Sequence, residues 1–192
     1  MRPLMSVLAG LLAAVPTQAQ ANSYLAPRPL LVGSDYGSYG FKLLPRGVDE
    51  SRASARESWG ELVQLQPDGT LKTLWKRRLV NTPARVYLSP RGQVVTLDNH
   101  AGYGRPRHAV VIYDLQGRVT ADLNFAEVVP NAADCRACGS MDGPFLSWGY
   151  QPKWVFYGND VHLALRDDRG QGPTINLVTG KLKTLWNGGP RP

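Results

Sequence analysis

The chain is poor in the residues that most often carry chemistry. In 192 residues it has two cysteines and three histidines. Two thiolates with no second ligand pair cannot build a tetrahedral zinc site. No G-x-S-x-G, H-E-x-x-H, P-loop or dinucleotide glycine fingerprint occurs, which removes the enzyme classes that those motifs announce. Beyond residue 21 no apolar stretch approaches the roughly 20 residues that a helix needs to cross a bilayer. Helix signals are also few, and Phe125-Ala126-Glu127-Val128-Val129 supports only a single turn, which Pro130 ends.

What is present begins with the N-terminus. Arg2, the apolar stretch Val7 to Val15 and Ala19-Gln20-Ala21 form the pattern of a secretory signal over residues 1–21. The expected mature chain starts near Asn22, is soluble and is periplasmic or extracellular. No cysteine follows the expected cleavage site, so nothing supports a lipoprotein anchor. The remaining residues suffice for one domain with a real core.

Lys and Arg number 22 against 15 Asp and Glu, a formal charge of +7. The excess is dispersed. Its one dense run, Lys76-Arg77-Arg78, reads as a solvated loop, with attraction to anionic envelope polymers or lipid head groups as the functional alternative. Nucleic acid is not an expected partner, because the interleaved aromatic and basic pattern of a binding module is missing.

The main positive signal is repetition. Leu-Lys-Thr-Leu-Trp occurs at Leu71 to Trp75 and again at Leu182 to Trp186, each time two residues after a glycine. Apolar runs precede both glycines, so each copy reads as strand, tight turn, strand. A degenerate copy, Val110 to Asp114 followed by Gly117 and Arg118 to Leu123, lies between them. Glycine at these turns supplies the positive φ that a hairpin or its bulge requires. A second motif, Val86 to Gly92 then Val94 to Leu97, recurs as Val155 to Asp160 then Val161 to Leu165. Each unit is therefore expected to be a four-stranded meander: an irregular first unit at about 27–75, a second at about 84–125 and a third at about 145–186. The polar segment Gly47 to Ser58 is expected to be an exposed loop.

The aligning glycines are 48 residues apart from Gly69 to Gly117 and 63 apart from Gly117 to Gly180. The difference of 15 points to an insertion near residues 126–140, which holds both cysteines. Insertions on repeat scaffolds usually map to loops on one face, often the binding face.

Cys135-Arg136-Ala137-Cys138 lacks the following His of a haem attachment site and the strand-to-helix context of a thioredoxin-like pair. A local disulfide is the expected state in an oxidising compartment, stabilising by no more than about 2 kcal/mol, with redox or metal chemistry as the alternatives. Asp98-Asn99-His100 ends an apolar strand and opens a loop that includes Tyr103 and His108. Polar groups at strand ends are candidates for binding, although Asp and Asn are also ordinary turn formers. Spacing alone does not gather Asp98, His100 and His108 around a metal. His162 alternates with Val161 and Leu163 and should face out of its strand. The aromatic stretch Trp148 to Tyr157 offers stacking surface to a sugar or peptide, but the alternation of Trp154 and Phe156 favours core packing, as the repetition does for Trp75 and Trp186.

Ser89-Pro90-Arg91-Gly92-Gln93-Val94-Val95-Thr96, followed by Val111 to Val119, resembles a blade of the β-propellers found among bacterial exported repeat proteins. The resemblance implies an all-β fold of meander repeats: a partial propeller, completed by self-association or left open, or a compact sandwich or barrel. It transfers no functional residue. The functional expectation is an exported binding or scaffolding module of the cell envelope without catalysis or cofactor. Its partner would be an envelope protein or glycan, met through Asp98, Asn99, His100, Tyr103, His108 and Trp148. The alternative is a small hydrolase or thiol-redox enzyme using the 98–108 loop or the cysteine pair.

Overall fold

The computed structural model describes residues 28–35, 37–49, 54–99, 107–139 and 144–185. The expected signal segment, His100, Tyr103 and Trp186 lie outside these residues, as does the side chain of Trp148. Among the described residues twelve strands form three open, antiparallel four-stranded meanders. The first sheet comprises β1 (Leu30–Gly33), β2 (Tyr39–Asp49), β3 (Ser54–Leu65) and β4 (Leu71–Arg78). The second comprises β5 (Pro83–Leu88), β6 (Val94–Asn99), β7 (Val110–Tyr113) and β8 (Val119–Leu123). The third comprises β9 (Gln151–Tyr157), β10 (Asp160–Arg166), β11 (Gly172–Asn176) and β12 (Leu182–Leu185). This is an all-β arrangement of meanders consistent with a partial propeller or a layered sandwich.

Four of the hairpins close in the same way. In Gln66–Thr70, Ser89–Gln93, Asp114–Arg118 and Asp167–Gln171 the first and fifth residues exchange a backbone bond and the fourth, a glycine, donates back to the first. Those glycines have φ between 74° and 84°, the left-handed conformation that only glycine adopts without cost. The side chain of Ser89, Asp114 or Asp167 accepts the N–H groups of the turn, as Asp114 does from Gln116 at 2.9 Å and Arg118 at 2.8 Å.

The layers stack because the central strands alternate their contributions. Val94, Val111 and Tyr113 pack toward the first sheet with Phe41, Leu43, Leu62 and Trp75. Val95, Leu97, Val110 and Ile112 pack toward the third sheet with Val161, Leu163, Leu165 and Ile175. Trp75 is buried between the rings of Phe41 and Tyr113, at centroid distances of 5.6 and 5.9 Å. The outer face of the first sheet is charged, with Lys42, Glu61 and Lys76 paired in one row across β2, β3 and β4. His162 lies on the outer face of the third sheet, opposite Asn176, with its ring edge-on to Tyr157.

Three local expectations change. Lys76-Arg77-Arg78 is solvent-exposed as expected, but it is the end of β4 rather than a loop, paired with Glu61, Gly60 and Trp59 of β3. The polar segment Gly47 to Ser58 is largely strand, because β2 and β3 pair Val48 with Ala55 and Asp49 with Ser54. Backbone pairing carries a hairpin past the end of its apolar face, so polar composition does not mark the strand's limit there. Of the two alternating aromatics, Trp154 packs against the core, whereas Phe156, near the hairpin tip, is exposed.

Candidate functional site

The segment between the second and third sheets folds back into the core. It contains a one-turn helix α1 (Phe125–Val128), a kinked 3-10 segment (Ala132–Cys138) and a second one-turn helix α2 (Leu146–Gly149). Asn124 opens α1 with a capping box in which Glu127 Oε2 accepts the Asn124 N–H at 2.7 Å. Phe125, Val128, Val129, Cys135, Cys138 and Leu146 join the core between the second and third sheets. Cys135 and Cys138 form a disulfide with an S–S distance of 1.98 Å. It packs so closely on α2 that a Cβ at Gly149 would lie 2.1 Å from Cys135 Sγ and 2.6 Å from Cys138 Sγ. Phe145 N–H donates to the Cys138 carbonyl at 2.8 Å.

Asp98, at the end of β6, joins this segment to the central sheet. It is only 2% exposed, and its φ of 61° turns the chain out of the strand. Its two carboxylate oxygens accept the N–H groups of Leu146 at 2.7 Å and Ser147 at 3.0 Å. These are otherwise unpartnered donors of the first turn of α2. Burial pushes the Asp98 carboxyl up from its ordinary value, against the opposing pull of the Ser147 and Leu146 bonds and of Arg85. Below it, the buried Asn81 amide donates to Thr96 Oγ1 at 3.3 Å and to the carbonyls of Asp98 and His108, each at 3.4 Å. Asn99 Oδ1 accepts the Thr82 N–H at 3.3 Å. His108, also at positive φ (59°), sets Nδ1 2.9 Å from both oxygens of Asp122 on β8.

The structure therefore brings together two groups of residues that the sequence presents 48 positions apart. Asp98 bonds to the helical turn carrying Trp148, and that turn rests through Gly149 on the Cys135–Cys138 disulfide; Asn99 and His108 are instead held by Thr82 and Asp122. Chemically the arrangement is a clasp: the Asp98 carboxylate is occupied by two donors, and both sulfurs are buried and bonded to each other. Among the described residues no three of His, Cys, Asp and Glu converge as metal ligands, and no helix is long and apolar enough to cross a membrane. Asn81 and Asp122, which hold the ends of the 98–108 loop, carry no signal in the sequence, because their partners are defined only by strand register. No protein-family model matches the chain, and no curated protein matches it.

Proposed function

We propose that this chain is an exported binding or scaffolding module of the cell envelope, related in architecture to propeller blades, whose partner docks on the rim where the 98–108 and 130–148 segments meet. The observation that carries this reading is the pair of bonds from the Asp98 carboxylate to the Leu146 and Ser147 N–H groups. A buried carboxylate committed to two backbone donors ties the end of β6 to α2, a fixed base that lowers the ordering cost of binding beside it. The partner is an envelope protein or glycan. The signal pattern of residues 1–21 supports export, and an intrachain disulfide fits an oxidising compartment. The charged outer face of the first sheet favours an open stack over a ring completed by a second copy, and a single-chain mass in solution is the check.

The test is crosslinking of the mature protein in its own envelope. Residues 100–106 and 139–143 are replaced by Gly-Ser linkers of equal length, leaving Asp98, the disulfide and α2 in place. Loss of the captured species with an unchanged melting curve is the expected result. Retained capture would remove the rim as the docking surface.

A further inference from the structure

The open face of the third sheet carries a cleft of about 560 Å³, far in kind from the clasp at Asp98, lined by Gln151, Lys153, Arg166, Asp167, Asp168 and Gly170. Its volume falls within the roughly 300–1,000 Å³ usual for small-molecule sites, yet its walls are polar, so it suits a polar ligand. The charges in it are segregated. Lys153 on β9 and Arg166 at the end of β10 supply the positive side, and Asp167 and Asp168, in the turn to β11, supply the negative side.

Two of these groups are fixed by the fold and two are free. Arg166 Nη1 donates to the carbonyls of Leu165 at 3.0 Å, Gly172 at 2.7 Å and Pro173 at 3.0 Å, and Nη2 donates to Thr174 Oγ1 at 2.8 Å. Its guanidinium is thereby locked in place with no carboxylate partner among the described residues. Asp167 Oδ1 is tied to the N–H groups of Arg169 and Gln171. Lys153 and Asp168 have no ion-pair or hydrogen-bond partner among the described residues. Gln151 pairs with Arg166 across the strands and Lys153 with Ala164, which puts the two cationic side chains on one face of the sheet. A simple anion would meet the two carboxylates, and a simple cation would meet Lys153 and Arg166. A molecule carrying one charge of each sign complements both walls.

We propose that this cleft binds a small zwitterion of the peptide class, with its carboxylate against Lys153 and Arg166 and its ammonium against Asp168. Arg166, held by the Leu165, Gly172 and Pro173 carbonyls and Thr174, contributes a fixed positive charge to the wall rather than a free fork, and the free Lys153 and Asp168 side chains close on the two ends. This is a second site, independent of the rim at Asp98.

The experiment titrates the chain from Asn22 with alanyl-alanine, N-acetyl-alanyl-alanine and alanyl-alanine amide, following backbone amide shifts by nuclear magnetic resonance. Alanyl-alanine should shift residues 151–153 and 166–170, and either capped form should bind about tenfold or more weakly. Lys153→Gln should erase the discrimination against the amide, and Asp168→Asn should erase the discrimination against the acetylated form. Both are exposed positions, so the dispersed spectrum of a folded chain serves as control. Equal binding of capped and free dipeptides, no shifts up to about 20 mM, or unchanged discrimination in both variants would each overturn the proposal.

Discussion

The central sheet and the third sheet are built from the same hairpins but solve different burial problems. In the central sheet Val94, Val95, Val110, Val111, Ile112 and Tyr113 are all fully buried, because both faces are covered. In the third sheet Val161 and Leu163 are buried on one face while His162, between them, is turned outward. A strand covered on both faces reads as a continuous apolar run, and one covered on a single face alternates. The central sheet is thus covered on both sides, and open surface remains at its strand ends and on the outer faces of the first and third sheets.

The largest test of that contrast is a polar amide placed one residue apart in each sheet. Val111→Gln and Ile112→Gln should each cost about 3 kcal/mol or more, since either face buries the amide without a partner. In β10, Leu163→Gln should cost as much, whereas His162→Gln should change stability by less than about 1 kcal/mol. Urea titration of the four variants checks it, and tolerance of Val111→Gln would mean that the first sheet does not cover the second.

The next effect is at the clasp. Asp98→Ala strands two N–H groups and should cost about 2–3 kcal/mol. Asp98→Asn keeps an acceptor, and asparagine tolerates the positive φ, so it should cost less. The pH dependence has a defined sign. Burial raises the Asp98 carboxyl above its ordinary value of 3.8 in the folded state, so its contribution is fully present below that value and is lost as pH rises through the raised one. The stability of the wild-type chain relative to Asp98→Asn should therefore fall as pH rises above the ordinary carboxyl value of 3.8. Denaturant titrations over that rise in pH measure it, and a rising difference would contradict the assignment.

Smaller effects separate two of the aligned turn glycines. Gly69 and Gly117 share a positive φ, but a Cβ at Gly69 meets nothing within 4 Å, while one at Gly117 lies 2.9 Å from the Trp75 ring. Gly117→Ala should cost about 2 kcal/mol and Gly69→Ala about 1 kcal/mol. Equal melting temperatures for the two would remove the packing of Trp75 against the second turn.

Much of the fold was legible in local pattern. The apolar runs at Val94 and Val110, the alternation at Val161, the turn glycines and the one-turn helix before Pro130 all have short-range causes, so a linear reading finds them. The clasp was legible only in its parts. Asp98 and the cysteine pair stand out as residues, but the bonds from Asp98 to Leu146 and Ser147 span 48 and 49 positions and depend on how α1 and α2 pack into the core. The cleft was not legible at all, because Lys153, Arg166 and Asp168 belong to two strands and a turn whose side chains meet only through the β9–β10 register.

The central claim, that Asp98 ties the end of β6 to the helical turn at Leu146, is tested most directly by amide hydrogen exchange at Leu146 and Ser147. In the wild-type chain both amides should be protected, and in Asp98→Ala they should exchange at least about tenfold faster while the amides of β6 and β10 stay protected. Unchanged protection of Leu146 and Ser147 in Asp98→Ala would show that the clasp does not tie the end of β6 to that turn.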